Sequence, residues 1–181
     1  MNTELLKTIK QKSSSLLNEI IANRRHLHQH PELSFCEEKT AAFVSAQLSA
    51  MGIKHETNIA GFGIVGLIEG KNPSHKVIAL RADMDALPIF EKNQVAYKSK
   101  YEGVMHACGH DAHTASLLGA ARILNDIKDQ FEGTVKLIFQ PAEEKLPGGA
   151  SLMIKEGVLQ NPAPAGIVGQ DRKSTRLNSS H

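Results

Sequence analysis

Tryptophan is absent from this sequence, aromatic residues make up only 4%, and there are just two cysteines. With so few aromatic rings there is no platform on which single-stranded bases could stack. The net charge of +2 is small. Lys and Arg are scattered rather than gathered on one face, which argues against a nucleic-acid or anionic-membrane partner. Cys36 and Cys108 lie far apart, so they make no disulfide framework and suit a reducing compartment. No apolar run reaches the roughly 18–20 residues that span a bilayer. Residues 1–15 lack the apolar core of a signal peptide. The expected location is cytoplasmic, with no membrane partner. Internal repeats and low-complexity segments are also missing.

What is present is the content of an ordinary globular domain: 181 residues, 41% hydrophobic and 22% charged, enough to bury one core. Leu5, Leu6, Ile9, Leu16, Leu17, Ile20 and Ile21 recur at helical spacing and predict a helix over 4–28, stopped by Pro31. A second helix is expected over 37–51, capped by Gly52. Strands are expected over 53–57, 63–69, 76–81 and 134–139, and the start of another over 166–169. The run VIALRADMD is apolar until it ends in two acids, as in a strand covered on both faces. Asp111 is expected to cap a helix over 112–128. A short helix should follow over 148–155, with Gly157 as its cap. Alternating strands and helices point to an α/β fold: a mostly parallel mixed sheet with flanking helices. In such sheets, sites gather at the carboxyl ends of strands. Asp83 and Asp85 follow one strand, Glu143 and Glu144 another, and the Cys108–His110 loop opens a helix, so the three groups can meet on one rim.

Two motifs carry the chemistry. HACGHDAH (residues 106–113) packs a thiol, three imidazoles and a carboxylate into eight residues, and QPAEE (residues 140–144) ends an apolar run in adjacent acids. Cys, His and Glu are transition-metal ligands. A spare carboxylate beside a ligand is what a metal-activated water needs as its proton acceptor. Cys108 and His110 would diverge on a helix, but in a loop with Gly109 between them both can face one ion. Asp83 and Asp85 either orient a ligand from behind or simply cap a strand. His106 and His113 read as hydrogen-bonded supports rather than ligands. His26, His28 and His30 read as a helix end making backbone hydrogen bonds, and Cys36 as a packing residue.

In order along the chain stand RRHLHQHPELSF (24–35), RADMDALPI (81–89), MHACGHDAHTA (105–115), FQPAEE (139–144) and GGASLMIKEGVL (148–159). Together they resemble the aminoacylase, hippurate hydrolase and indoleacetyl-amino-acid hydrolase group of the twentieth metallopeptidase family, over roughly residues 15–170. The resemblance implies a zinc-peptidase-like catalytic domain with two divalent metal ions. Cys108, His110 and Glu144 would be ligands and Glu143 the general base. The implied reaction is hydrolysis of the amide bond of small N-acyl or N-aroyl amino acids. A thiolate ligand favours Zn, Co or Ni, whereas the family is often described with Mn. A dipeptidase of the same superfamily and a non-catalytic metal-binding module are the rival readings, and a base kept beside Glu144 argues against the latter.

The resemblance also implies features that this chain lacks. The family's lid and dimerisation domain is absent. A further ligand His is expected where Asp171 stands. Residues 171–181 look like one reading frame of a sequencing-library adapter, against the alternative of a natural solvated tail. The expectation is that residues 1–170 are the truncated N-terminal part of the catalytic domain, that 171–181 are non-native, and that a longer parent is homo-oligomeric. The short chain should then bind metal weakly and be inactive.

Overall fold

The computed structural model describes residues 3–171; the rest of the expected non-native tail lies outside the described residues. The N-terminal apolar stripe becomes one long helix, α1 (Thr3–Gln29), which ends just before Pro31. Proline has no backbone N–H to continue a helix. Helix α2 (Glu38–Ala50) closes through Gly52, whose φ of +69° needs glycine. Strands β1 (Lys54–Ile59) and β2 (Gly63–Glu69) form a hairpin, and β3 (Val77–Asp83) follows a turn. Helix α3 (His110–Asp126) leads through a single 3₁₀ turn, Lys128–Gln130, to β4 (Thr134–Gln140). Helix α4 (Gly149–Lys155) and strand β5 (Ile167–Gly169) complete the order.

The strands form one mixed sheet in the order β1-β2-β4-β3-β5. β1/β2 and β2/β4 are antiparallel, while β4/β3 and β3/β5 are parallel. The parallel pair positions the site. Its register sets Asp83 opposite Gln140, so β3 and β4 end at the same level. Whatever follows each strand emerges on the same rim.

Two clusters bury the faces of the sheet. Val44 and Leu48 of α2 and Leu117, Leu118 and Ala121 of α3 pack on Ile64, Ile68, Leu137 and Phe139. Below the sheet, Met153 and Val158 cover Ala79 and Ile138. Phe139 is fully buried, and a side chain of that size contributes about 1.5–3 kcal/mol on leaving water. Between β3 and α3 runs a long connection that pairs Leu87 with Met105 and donates the Ala86 N–H to the Glu32 carbonyl. It delivers Cys108 to the start of α3.

Two local expectations are corrected. Asp111 does not cap α3: Gly109 occupies the cap position and Asp111 lies inside the first turn. Its carboxylate is buried because it receives Arg24 and His28 from α1. Cys36 does not pack inside but is exposed. In its loop the inward positions belong to Ser34 and Glu37, both buried. Among the described residues no helix is long and apolar enough to cross a membrane.

Candidate metal centre

Three chain segments converge on the rim. Gly109 has φ +88°, in the left-handed region that glycine enters without a Cβ clash. That turn brings Cys108 and His110 to the same side. One ligand atom each from Cys108, His110 and Glu144 all lie within 4.8 Å of one another.

The orientation of His110 follows from its hydrogen bonds. Its Nδ1 lies 2.9 Å from the Asp85 carbonyl oxygen and 3.1 Å from Asp85 Oδ1. A carbonyl and an ionised carboxylate only accept, so Nδ1 carries a proton and Nε2 is the ring nitrogen turned to the rim. Nε2 lies 3.6 Å from Asp83 Oδ1, 3.8 Å from Glu144 Oε1 and 3.9 Å from Glu143 Oε2. These separations are too long for hydrogen bonds. Atoms that share an ion at about 2.0–2.3 Å each stand roughly 3.3–4 Å apart, which is the spacing seen here.

The glutamates are set by a tight turn after β4. Ala142 adopts φ +47°. Its carbonyl accepts the Gly149 N–H at 2.8 Å, and Asp85 Oδ2 accepts the Glu144 N–H at 2.9 Å. A Cβ on Gly149 would sit 1.9 Å from the Pro141 carbonyl oxygen, so only glycine fits there. The Glu144 side chain is 21% exposed and that of Glu143 43% exposed. Glu144 is thus drawn toward Cys108 and His110, while Glu143 stands beside them at the solvent edge.

Electrostatics at the rim favour a cation. Burial alone would raise the Asp85 carboxyl. Hydrogen bonds from His110, Ser34 and the Glu144 and Glu143 backbone pull it down to about 2, so it is ionised. The Cys108 thiol is pushed up to about 12 by partial burial and by the carboxylates of Glu144, Glu143 and Asp83. Among the described residues neither Glu143 nor Glu144 is paired with Lys or Arg. A thiol, an imidazole nitrogen and unpaired carboxylates are the donor set a borderline divalent ion takes, so the residues present fit a metal.

Asp83, His110 and His113 form a second group of close donors. Asp83 is already engaged: Oδ1 meets His113 Nδ1 at 2.7 Å and Oδ2 meets Arg81 at 2.7 Å. His113 also stacks on His110, with ring centroids 5.6 Å apart. Asp85 thus bonds His110 directly, while Asp83 holds His113, whose ring stacks on His110. His106 departs from its expected hydrogen-bonded role: it is buried, and neither ring nitrogen has a partner among the described residues. Burial pushes its imidazole down to about 4, so it is neutral. The N-terminal histidines stay away from the rim. His30 Nδ1 bonds the His26 carbonyl, as expected of a helix end, but His28 departs from that expectation: its buried ring bonds the carboxylates of Asp111 and Glu91 instead of backbone. The sequence reading missed Ser34, which donates to Asp85 Oδ2 at 2.6 Å, and Glu37, which accepts the Ala142 N–H at 2.7 Å. Their only signal was position, in a polar loop beside a helix start.

Comparison with known proteins bears on this arrangement. The model of peptidase family M20/M25/M40 matches residues 79–177. An N-acyl-L-amino acid amidohydrolase of Geobacillus stearothermophilus is 48% identical over 151 residues, covering 83% of this chain and 40% of the relative. An IAA-amino acid hydrolase (ILR1-like 5) of Arabidopsis thaliana is 46% identical over 143 residues, covering 78% of this chain and 32% of the relative. Among solved structures, the Bacillus subtilis YXEP protein, described as a dinuclear metal binding peptidase, superposes with a TM-score of 0.82. It is 41% identical and covers 88% of this chain and 44% of its own. The chain thus spans about two fifths of the length of such relatives.

Proposed function

The chain belongs to peptidase family M20/M25/M40, and from that premise we propose that it carries the metal centre of a metal-dependent amidohydrolase acting on small N-acyl or N-aroyl amino acids. The observation that carries the reading is the convergence of Cys108, His110 and Glu144 within ligand range, with Glu143 beside them. Cys108, His110 and Glu144 would hold divalent ions, two by likeness to the dinuclear relative. When bound, such ions polarise a scissile carbonyl and bring the pKa of a water toward neutral. Glu143, open to solvent, takes the proton of the attacking water on its carboxylate and returns it to the leaving amine nitrogen. Asp85 keeps the His110 lone pair aimed at the ions by holding its Nδ1–H. Zn, Co and Ni suit the thiolate, and Mn suits the carboxylates. The substrate class rests on the names of the relatives in Geobacillus and Arabidopsis.

Two assays test this. The first is cobalt titration of the chain, in which a thiolate-to-cobalt charge-transfer band should appear and Glu144→Gln should weaken it. The second is a chimera in which the matching segment of the Geobacillus amidohydrolase is replaced by this chain's. There Glu143→Gln should keep the metal content and cut turnover of an N-acyl amino acid by on the order of 10²–10⁴. Equal metal loss in both variants would overturn the assigned roles.

A further inference from the structure

A buried glutamate lies behind the centre and belongs to none of the motifs that hold the ions. Glu37 is 0% exposed. It stands at the start of α2, a separate element from the β3, α3 and β4 ends that form the rim. Its Oε1 accepts the N–H of Ala142 at 2.7 Å. Ala142 sits immediately before Glu143 and Glu144 and holds a left-handed φ of +47°.

Each fact needs the other. A non-glycine residue held in that region costs about 1–3 kcal/mol and persists only when its surroundings fix it. A buried carboxylate persists only with a hydrogen-bond partner. Burial pushes the Glu37 carboxyl up, with the Ala142 N–H acting most against this and the backbone of Glu37 itself and of Phe35 adding to it. The turn has other restraints, Asp85 on the Glu144 and Glu143 N–H groups and the Gly149 N–H on the Ala142 carbonyl. None of these engages the Ala142 N–H. Without an acceptor there, that N–H would be left buried, and the peptide between Pro141 and Ala142 would be free to rotate. Such a rotation displaces Glu143 and Glu144 together, because both follow it directly in the chain.

We propose that Glu37 is a positioning residue of the metal centre: by accepting the Ala142 N–H it holds the left-handed turn that sets Glu143 and Glu144 against Cys108 and His110. This rests on the metal reading above. The role depends on reach and on an acceptor oxygen, not on charge. Gln at position 37 keeps an oxygen at the same distance, while Asp keeps the charge and is one methylene too short.

The test is cobalt titration of the 181-residue chain and of its E37Q, E37D and E144Q variants, read by the thiolate charge-transfer and d–d bands, with folding followed separately by denaturant unfolding. Expected are affinity within about threefold of the parent for E37Q, and at least a tenfold loss with altered d–d bands for E37D. Retained affinity in E37D, or an equal loss in E37Q, overturns the positioning role. If E37D does not fold, the folded E37Q chain decides alone: retention supports the role and a tenfold loss overturns it. E144Q separates the two readings. Weakened binding in E144Q with no effect of E37D removes the positioning role and leaves the centre. No band in the parent, or none lost in E144Q, removes the metal reading and the positioning role with it.

Discussion

At the scale of single residues, Asp85 does more than its place at a strand end announces. One oxygen faces His110 Nδ1 and the other takes both the Ser34 hydroxyl and the Glu144 N–H. It therefore couples the imidazole ligand to the glutamate turn. Replacing it by Asn removes one acceptor and offers an N–H where acceptors are required. Asp85→Asn should lower metal affinity by about 10–100-fold. Ser34→Ala, which leaves the other bonds intact, should cost roughly 1 kcal/mol of stability and change affinity less than threefold. Competition with a chromophoric chelator, alongside urea unfolding, measures both, and equal affinities in the two variants would remove the special place given to Asp85. Cys108, His110 and Glu144 could be named as candidate ligands from the sequence because metal chemistry admits few residue types and the family resemblance chooses among them. Asp83 and Asp85 were legible as acids at a strand end, though not their choice of partners. Glu37 and Ser34 were not legible, since a buried polar residue is recognised by what it touches and nothing in the local pattern names a partner about a hundred residues away.

At the scale of elements, the sequence pattern foretold the order of the α-helices and strands among the described residues but not the 3₁₀ turn at Lys128–Gln130, and the other errors fall at ends and caps. Strand β3 runs on through Asp83, because its carboxylate is held by Arg81 and His113 rather than released to solvent. Helix α3 starts at His110 because Asp111 is pulled to α1 instead of capping. That last contact is a buried network: Asp111 holds Arg24 at 2.7 Å and His28 at 2.8 Å, and His28 reaches Glu91 at 3.0 Å. The Asp111 hydrogen bond raises the His28 imidazole, against its burial, with Glu91 adding to the rise. Burial alone would raise the Asp111 and Glu91 carboxyls, but the His28 hydrogen bond brings both below their ordinary values. A raised imidazole contributes stability that is whole below its ordinary 6.5 and is lost as pH rises through its folded value. The depressed carboxylates contribute stability that is whole above 3.8 and 4.5 and is lost as pH falls. The docking of α1 on α3 should thus be strongest between pH 4.5 and 6.5. His28→Gln should cost roughly 1.5–3 kcal/mol there and less on either side. Urea unfolding of both proteins across pH checks this, and a difference that stays flat with pH would show that the network is not ionised.

At the scale of the whole molecule, charge is nearly balanced at +2 but is unevenly placed. The parallel register of β3 and β4 ends both strands at one level and gathers Asp83, Asp85, Glu143 and Glu144 on one rim. Among the described residues only Asp83 has an arginine partner there, Arg81. Carboxylates this close repel one another when ionised, and folding has to bear that cost without a cation. A divalent ion removes the repulsion and binds only the folded arrangement, since β3, α3 and β4 each bring part of the donor set. Binding to the folded state alone adds about 2.7 kcal/mol when free ion is at a hundredfold excess over its dissociation constant. For a chain of this size each kcal/mol moves the melting midpoint by about 2–4 °C. Thermal unfolding of the chain in Zn or Co should therefore shift up by several degrees, rise with the logarithm of ion concentration, and fall back on adding chelator. The same ions should barely move Glu144→Gln or Cys108→Ala, because those variants lose a ligand while keeping the rest of the fold. An equal upward shift in the variants would mean that the ions act on the chain elsewhere. No shift in the parent would mean that the rim's carboxylates are tolerated without a metal and that the centre is not one.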